Sequence, residues 1–502
     1  MPTRTNQYGF FIMQAILMQK RILAALLGGA ATLSACAPVP QLGARPEMRA
    51  AGSIAAERSI GSGMDTGSQW PEASWWSAYG DPQLDGLIDE GLRSAPDLAA
   101  AIARVRQADA YAQQANAARL PSLDVDGTAG ENKQSYNNGI PAEFVPKGWN
   151  DTGRLTANLG FDIDLWGRNR AAFAAATSDA EAARLELAQT RLTLSTAIAT
   201  AYADLARLYA DRDVLQATLD IKTRTQALVA QRVETGLGNR ADLKLADAAV
   251  PTARADLSST DESIALTRNR IAALIGAGPD RGLAIARPSA RVAARGIPAG
   301  ATTDLIGRRP DVAAARARVD AAASRIKVAR ADFYPALSLN ALFGVQSLGL
   351  SKLFDGGSTY GNAGPAVSLP LFHGGAIAGQ YRGARATYDE AVASYDKTVI
   401  AAYQDVADTV TSQTMLTTRL ADARKALSDT QSAYDLAQER YRGGLSTYLD
   451  VLTAEQNLLQ SRRAVASLEA RAFTLDVALV RALGGGFSSP SLSMMPKDRA
   501  HG

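Results

Sequence analysis

The sequence predicts a mainly α-helical chain with a small membrane β portion, built by internal tandem duplication, and three observations predict it. Two long stretches, 168–234 and 375–441, contain no proline and space their apolar residues by four and three, as in Ile198, Tyr202, Leu205 and Tyr209. That spacing suits a coiled-coil seam. Short motifs recur in the same order in the two halves of the chain. A few segments alternate apolar and polar residues with the period of two that marks a half-buried strand.

The duplication is read from matched residues. Pro96-Asp97-Leu98 with Arg104-Val105 answers Pro310-Asp311-Val312 with Arg318-Val319, and a second proline, Pro121 or Pro335, follows 25 positions after the first in each copy. Arg232-Val233-Glu234-Thr235-Gly236-Leu237 answers Arg440-Tyr441-Arg442-Gly443-Gly444-Leu445, and Asp242 answers Asp450 at the same offset of 208. Leu274-Ile275-Gly276 closes the first copy and Ala482-Leu483-Gly484 the second. The expected layout is a lipoprotein signal peptide at 1–35 (Met18 being an alternative start), a lipid-anchored flexible tether at 36–69, a first repeat at 70–276, a linker at 277–304, a second repeat at 305–486 and a disordered tail at 487–502.

The N-terminal reading rests on Lys20-Arg21, the apolar run Ile22–Leu33 and the ending Leu33-Ser34-Ala35-Cys36. A basic start, a short apolar run and small residues before the cut make a signal peptide, too short to span a bilayer as a helix. The ending resembles the lipobox of bacterial lipoproteins, which implies cleavage before Cys36 and acylation of its thiol. Residue 37 is alanine rather than the aspartate that retains many lipoproteins in the inner membrane, so the family rule points to the outer membrane. The tether that follows is rich in Ala, Gly, Ser and Pro without periodicity.

Within each repeat a helix (97–120; 311–334) ends before a proline, which biases the preceding residue away from helix. Two extended segments follow. In the first copy Leu155, Ala157, Leu159, Phe161, Ile163 and Leu165 alternate with Thr156, Asn158, Gly160, Asp162 and Asp164; in the second, Leu337, Leu339, Ala341, Phe343 and Val345 alternate with Ser338, Asn340 and Gly344, broken by Leu342. Weaker partners are Leu123 with Val125, and Val367, Leu369 and Leu371. A long helix comes next, at roughly 1.5 Å per residue about 100 Å in length. A turn at Gly236, or at Gly443-Gly444, reverses the chain into a shorter helix ending near Gly276 or Gly484.

Four strands with an apolar face fit the length of outer-membrane strands. Four cannot close a barrel, and an open edge in lipid leaves backbone groups unpaired. Three copies supply twelve strands and turn three-fold symmetry into approximate six-fold. The polar residues Thr156, Asn158, Asp162, Asp164, Ser338 and Asn340 are then candidates to face a water-filled lumen.

Composition narrows the function. The chain has 502 residues, 47% hydrophobic and 21% charged, with 53 basic and 50 acidic side chains and a net charge of +3, which predicts no nucleic-acid partner. One cysteine and two distant histidines, His373 and His501, exclude a disulfide framework and a Cys/His zinc site of ordinary spacing, so no metal and no cofactor are expected. Asp65-Thr66-Gly67 and Asp151-Thr152-Gly153 resemble aspartic-protease signatures but lack the preceding apolar strands. Ser324-Arg325-Ile326-Lys327 and Ser394-Tyr395-Asp396-Lys397 match S-x-x-K without the Ser-Asp-Asn and Lys-Thr-Gly partners of a β-lactamase. The expectation is a protein that is not an enzyme.

Trp75-Trp76 with Tyr79-Gly80-Asp81-Pro82, Asp164-Leu165-Trp166-Gly167-Arg168, Arg308-Arg309-Pro310-Asp311-Val312, Phe333-Tyr334-Pro335, Leu369-Pro370-Leu371-Phe372 with Gly374-Gly375, and Leu483-Gly484-Gly485-Gly486 span nearly the whole mature chain. In this order they resemble TolC-type outer membrane factors, specifically the NodT-like lipoprotein branch. The resemblance implies a homotrimeric channel of outer-membrane β-barrel and periplasmic α-barrel, lipid-anchored in a Gram-negative outer membrane. It also implies two partners, a periplasmic adaptor and an inner-membrane pump of the resistance-nodulation-division type, with small amphiphiles as cargo. Two rivals stand beside that reading: a channel for type I protein secretion, and a structural lipoprotein without a pore.

Asp450 and Asp242 carry two readings. Thr447 and Asn239 are suitable N-caps, each followed three residues later by its aspartate, a near match to a capping box. By resemblance, Leu449, Asp450 and Thr453, with Asp242 in the first copy, are candidates for the residues that close the periplasmic end. Thr453 departs from the acid found there in some relatives.

Overall fold

The computed structural model describes residues 39–50, 53–61, 64–65, 68–291, 295–298, 300–301 and 304–488. Cys36, the signal segment and the residues after 488 lie outside that range. The main elements are α1 (Pro82–Ser94), α2 (Pro96–Ala117), β1 (Ser122–Asn132), β2 (Asn150–Ile163), α3 (Arg168–Glu234), α4 (Arg240–Leu274), α5 (Pro310–Ala331), β3 (Ala336–Leu348), β4 (Thr359–Ser368), α6 (Ala376–Arg442) and α7 (Tyr448–Ala482).

The duplication is carried by element lengths. α2 and α5 each have 22 residues, α3 and α6 each have 67, and α4 and α7 each have 35. None of the described helices is long and apolar enough to cross a membrane. α1 is a helix that the repeat pattern did not announce. Its signal is local: Asp81 accepts a hydrogen bond from the Gln83 amide at 3.0 Å, Pro82 occupies the first turn, and Leu84, Leu87, Ile88 and Gly91 make the buried face.

The chain divides into two compact units. One comprises Tyr111–Ala176 and Ala321–Glu390, with the described residues up to Arg45. It holds an antiparallel sheet of order β1-β2-β3-β4. Beside its helices, Trp166 stacks on Tyr334 at 4.6 Å and donates to the Pro335 carbonyl at 2.8 Å, while Arg168 pairs with Asp332 at 2.7 Å. Two family-like motifs, Asp164–Arg168 and Phe333–Pro335, are thus one mutual contact.

The other unit comprises Pro46–Ala110, Thr177–Asp320 and the residues from Ala391 onward. Its main core gathers Trp75, Tyr79, Leu84, Ile88, Ile198, Tyr202, Leu205, Ile271, Ile275, Phe473 and Val477. Several buried polar groups in that core are hydrogen-bonded to one another. Tyr79 donates to Asp476 Oδ2 at 2.6 Å, Arg295 Nε reaches the same oxygen at 3.1 Å, and Tyr202 donates to Asp81 Oδ2 at 2.7 Å. Arg309 is 8% exposed and bonds Asp311 at 2.7 Å, Asp405 at 2.9 Å and the Ala482 carbonyl at 3.3 Å, so the Arg-Arg-Pro-Asp motif ties the start of α5 to α6 and α7. The triple glycine that follows α7 has positive φ at all three positions, and a Cβ on Gly484 would lie 1.9 Å from the Arg308 carbonyl oxygen. Only glycine fits there.

The expected flexible tether is held where it is described. Arg385 donates to the carbonyls of Gly43 and Ala44, Arg45 lies 6.0 Å over the Tyr388 ring, and the Arg49 amide donates to Asp396 at 3.0 Å. Residues 39–50 therefore run along α6 instead of hanging free. Its backbone carbonyls and the side chains of Arg45 and Arg49 hold it.

Candidate functional site: a two-faced sheet and paired helix tips

Residues paired across antiparallel strands point to the same side of the sheet, so register decides which face each side chain joins. Leu123 pairs with Leu159, Leu159 with Ala341 and Ala341 with Ala363. Val125, Ala157 and Phe343 form the next row; Phe161 with Leu339, and Ile163 with Leu337 and Val367, form two more. These rows make one apolar face. On the single chain Leu123, Val125, Phe343 and Val367 are 67%, 67%, 68% and 69% exposed, the opposite of what a strand packed on a protein core shows.

The other face carries Asp126 with Thr156, Asp124 with Asn158, and Asp162 with Ser338, while Asn340 pairs with Gly160. Asn158 Nδ2 donates to Asp126 Oδ2 at 2.6 Å. Thr156 is on this face, as expected, but it is only 1% exposed. Arg154 donates to its hydroxyl at 3.1 Å and the Tyr360 hydroxyl meets it at 2.9 Å, so those two side chains cover it. Leu342 joins the polar face, which explains the break in alternation.

Asp164 lies just past the strand. β2 ends at Ile163, and the Asp164 carboxylate turns to accept from the Asn169 amide at 3.1 Å and the Arg170 amide at 2.9 Å, anchoring the first turn of α3. An anion at that end also meets the helix dipole favourably. Leu165, expected in the strand, lies past its end, as do Leu369 and Leu371 past the end of β4 at Ser368. Exposed aromatic residues follow the strand ends: Trp166 and Phe372 at one, Phe144, Trp149 and Phe354 at the other. Aromatic girdles of this kind flank the apolar band of outer-membrane strands.

The helix tips are built from two equivalent turns. At the end of α3 the Gly236 amide donates to the Val233 carbonyl at 3.1 Å and the Leu237 amide to Arg232 at 2.8 Å; at the end of α6 the Gly444 amide donates to Tyr441 at 3.0 Å and the Leu445 amide to Arg440 at 2.8 Å. These are Schellman turns, which need a left-handed residue at one place. Gly236 (φ +76°) and Gly444 (φ +73°) supply it. Gly443 does not: it corresponds to Thr235 and lacks a positive φ, so the reversal depends on one glycine of the pair.

Beyond each turn the helix restarts on a cap. Asn239 accepts from the Ala241 amide at 2.9 Å. Thr447 and Asp450 form a complete capping box, Asp450 Oδ2 accepting from the Thr447 amide at 2.9 Å and the Thr447 hydroxyl at 2.8 Å. Those two bonds hold the Asp450 carboxyl below the usual carboxylate range. Leu449 is 67% exposed, and Asp450 and Thr453 are exposed beside it; Asp242 holds the equivalent first-turn position in α4 and is half-buried.

Beneath the tip lies a cluster that the sequence did not flag. Tyr434, Tyr441 and Tyr448, spaced by seven, are buried with Ile221, Val229, Val451 and Leu458. Lys222 reaches the buried carboxylate of Glu455 at 2.5 Å, Thr225 donates to the same group at 3.4 Å, and Arg232 donates to the Tyr441 carbonyl while lying 4.5 Å over its ring. Burial, with Glu455, Tyr441 and Asp242 nearby, pushes the Tyr448 hydroxyl up to about 12. The seven-residue spacing of the tyrosines was the available signal.

Comparison with known proteins accords with this geometry. A family model described as outer membrane efflux protein matches residues 87–277 and 302–485. The chain is 29% identical over 429 residues to the multidrug resistance outer membrane protein MdtP of Escherichia coli, covering 84% of this chain and 88% of that one. It is 35% identical over 332 residues to the fusaric acid resistance protein FusA of Burkholderia cepacia, covering 64% and 61%. The crystal structure of the outer membrane protein VceC of Vibrio cholerae superposes with a TM-score of 0.80 at 44% identity, covering 84% of this chain and all of that one. With two matches that together take in most of its length, the chain belongs to the outer membrane efflux protein family and is an outer-membrane efflux channel.

Proposed function

We propose that three copies assemble into one exit duct, anchored to the outer membrane through acylated Cys36, that passes small amphiphilic compounds delivered by a periplasmic adaptor and a resistance-nodulation-division pump. One observation carries the assembly: a four-stranded sheet whose apolar face is exposed and whose outer strands, β1 and β4, each have a single neighbour. Backbone groups on such edges cannot be left unpaired in lipid, so neighbouring sheets must close the barrel. The drug and fusaric acid resistance in the names of two relatives supports small-molecule cargo over polypeptides. The duct itself catalyses no reaction.

Leu449, Asp450, Thr453 and Asp242 line its periplasmic constriction in this proposal, and the polar sheet face with Asn158, Asp162, Ser338 and Asn340 lines its lumen. The test is conductance of the purified protein in a planar bilayer. Leu449→Ala with Asp450→Ala should raise it. Absence of conductance from both proteins would sink the duct. In cells, deletion should lower tolerance to amphiphilic toxicants; loss of a secreted polypeptide instead would overturn the cargo assignment.

A further inference from the structure

Just past the strand ends a groove of about 540 Å³ opens between the first turns of α3 and the last turns of α5. Arg170, Lys327 and Arg330 bring three cations to it, and the stacked pair Trp166 and Tyr334 lines one end. All three cationic residues are exposed. Arg170 is paired with Asp164 at 3.3 Å, and the neighbouring Asp332 is taken by Arg168 at 2.7 Å. Among the described residues, Lys327 and Arg330 have no carboxylate partner. Like charges three residues apart on a helix oppose each other, and an anion between them removes that opposition.

The architecture does not require these residues. The repeat offset is 208 in the long helices and 214 in the shorter ones, as from Pro121 to Pro335. Moved by those offsets, Arg170 becomes Ala378, Lys327 becomes Gln113 and Arg330 becomes Asn116, while Trp166 becomes Gly374 and Tyr334 becomes Leu120. The other junction between copies thus has neither the charges nor the rings, although the helices that form it are of the same length.

The segment that follows Cys36 shows which side of the wall the groove is on. In the proposed ring, chain adjoining the lipid anchor can run only on the outside, and that chain lies on Arg385, which donates to the Gly43 and Ala44 carbonyls, and on Tyr388. Moved back by 208, Arg385 becomes Thr177. Arg170 and Ala174 precede Thr177 by seven and three residues, so they share its side of α3 and face outward. Depth follows from the sheet. Ile163, Leu337 and Val367 form the last apolar row before the groove, and Trp166 and Tyr334 stand next, where aromatic residues mark the headgroup level. A guanidinium grips phosphate oxygens in pairs and an ammonium adds a point charge.

We propose that Arg170, Lys327 and Arg330 hold the phosphodiester headgroup of an anionic phospholipid from the leaflet nearest the helices, with its acyl chains on the apolar row above, at one site per chain. The proposal rests on the trimeric duct in the outer membrane. The test is native mass spectrometry of the trimer, delipidated in neutral detergent and titrated with phosphatidylglycerol, with phosphatidylcholine of the same chains, and with inorganic phosphate. Phosphatidylglycerol should saturate tightly at one molecule per chain, with phosphatidylcholine at least severalfold weaker and inorganic phosphate not retained. Lys327→Gln with Arg330→Gln removes the two unpaired charges and should lower phosphatidylglycerol affinity about thirtyfold, while the variant stays trimeric on a native gel. Raising salt should weaken the wild-type protein's binding more than the variant's. Equal affinity for the two lipids, or a variant that binds phosphatidylglycerol as well as the wild type, would overturn the headgroup site and leave the duct standing. Retention of inorganic phosphate at the same level would overturn the lipid as its source. No trimer on the native gel for the wild-type protein would overturn the duct and with it the outward placement of the groove.

Discussion

The buried pair Lys222–Glu455 gives the sharpest test of what holds the tip together. The Glu455 side chain is 1% exposed and that of Lys222 15%, and the ammonium touches Oε1 as a charge contact, with the Thr225 hydroxyl 3.4 Å from the other oxygen. Removing one partner of such a pair leaves a charge in low dielectric, at roughly 3 to 5 kcal/mol; replacing both by apolar groups of similar volume is often neutral. Lys222→Met should fall at the lower end, about 3 kcal/mol, because the lysine keeps a little contact with water. Amide hydrogen exchange in the assembled protein is the appropriate assay, since it reads local opening. About 3 kcal/mol corresponds to roughly a hundredfold loss of protection at 218–226 and 451–459, and Lys222→Met with Glu455→Leu should recover most of it. Unchanged protection in the single variant, or a double variant no better than the single, would refute the reasoning.

Gly444→Ala should destabilise the α6–α7 turn by about 1 to 2 kcal/mol through its left-handed backbone alone, since nothing lies within 4 Å of the added Cβ, whereas Gly443→Ala should be neutral or stabilising by about 0.5 kcal/mol; thermal melts of the two variants separate these. Asp450, whose folded carboxyl is held down by the Thr447 amide and hydroxyl, contributes stability above its unfolded value near 3.8 and loses it as pH falls through the depressed one; protection of the Thr447 amide, taken against its intrinsic exchange rate at each pH, should fall on acidification in that window, and Asp450→Asn should flatten the profile. Thr447→Ala removes the cap at about 1 kcal/mol but leaves the carboxylate in place, so a rise in conductance matching that of Asp450→Asn would assign the effect to a frayed first turn and not to the aspartate's charge.

The long helices were legible because nothing in 168–234 or 376–442 interrupts them and their apolar spacing is regular; the structure moves their ends by a residue at most. The apolar sheet face was legible for a similar reason, since alternation fixes a face whatever the partner strand is. Where alternation ran on into Asp164, Leu165, Leu369 and Leu371, it misled, because a period of two says nothing about where a strand stops. The stop is set by a neighbouring requirement, the unpaired amides of Asn169 and Arg170 at the head of α3. The Lys222–Glu455 pair was not legible at all. Neither residue stands out locally, and the contact joins helices from different copies.

Duplication lets the two turns match while the residues at the junctions between copies differ. The Schellman turn at each tip needs one left-handed residue and the same pair of backbone bonds, so Gly236 and Gly444 stand at equivalent positions with nearly equal φ. A junction between copies has no such backbone requirement. It answers only to what lies across it, and in a ring of three chains half the junctions join residues of one polypeptide and half join separate ones. The chain places its tyrosines and its ion pair where its own two copies meet, at Tyr434, Tyr441 and Glu455, and has Gln226, Val233 and Asp247 at the equivalent positions of the other copy. A single-copy protomer forming a six-fold ring could not do this, because each of its junctions would be the same.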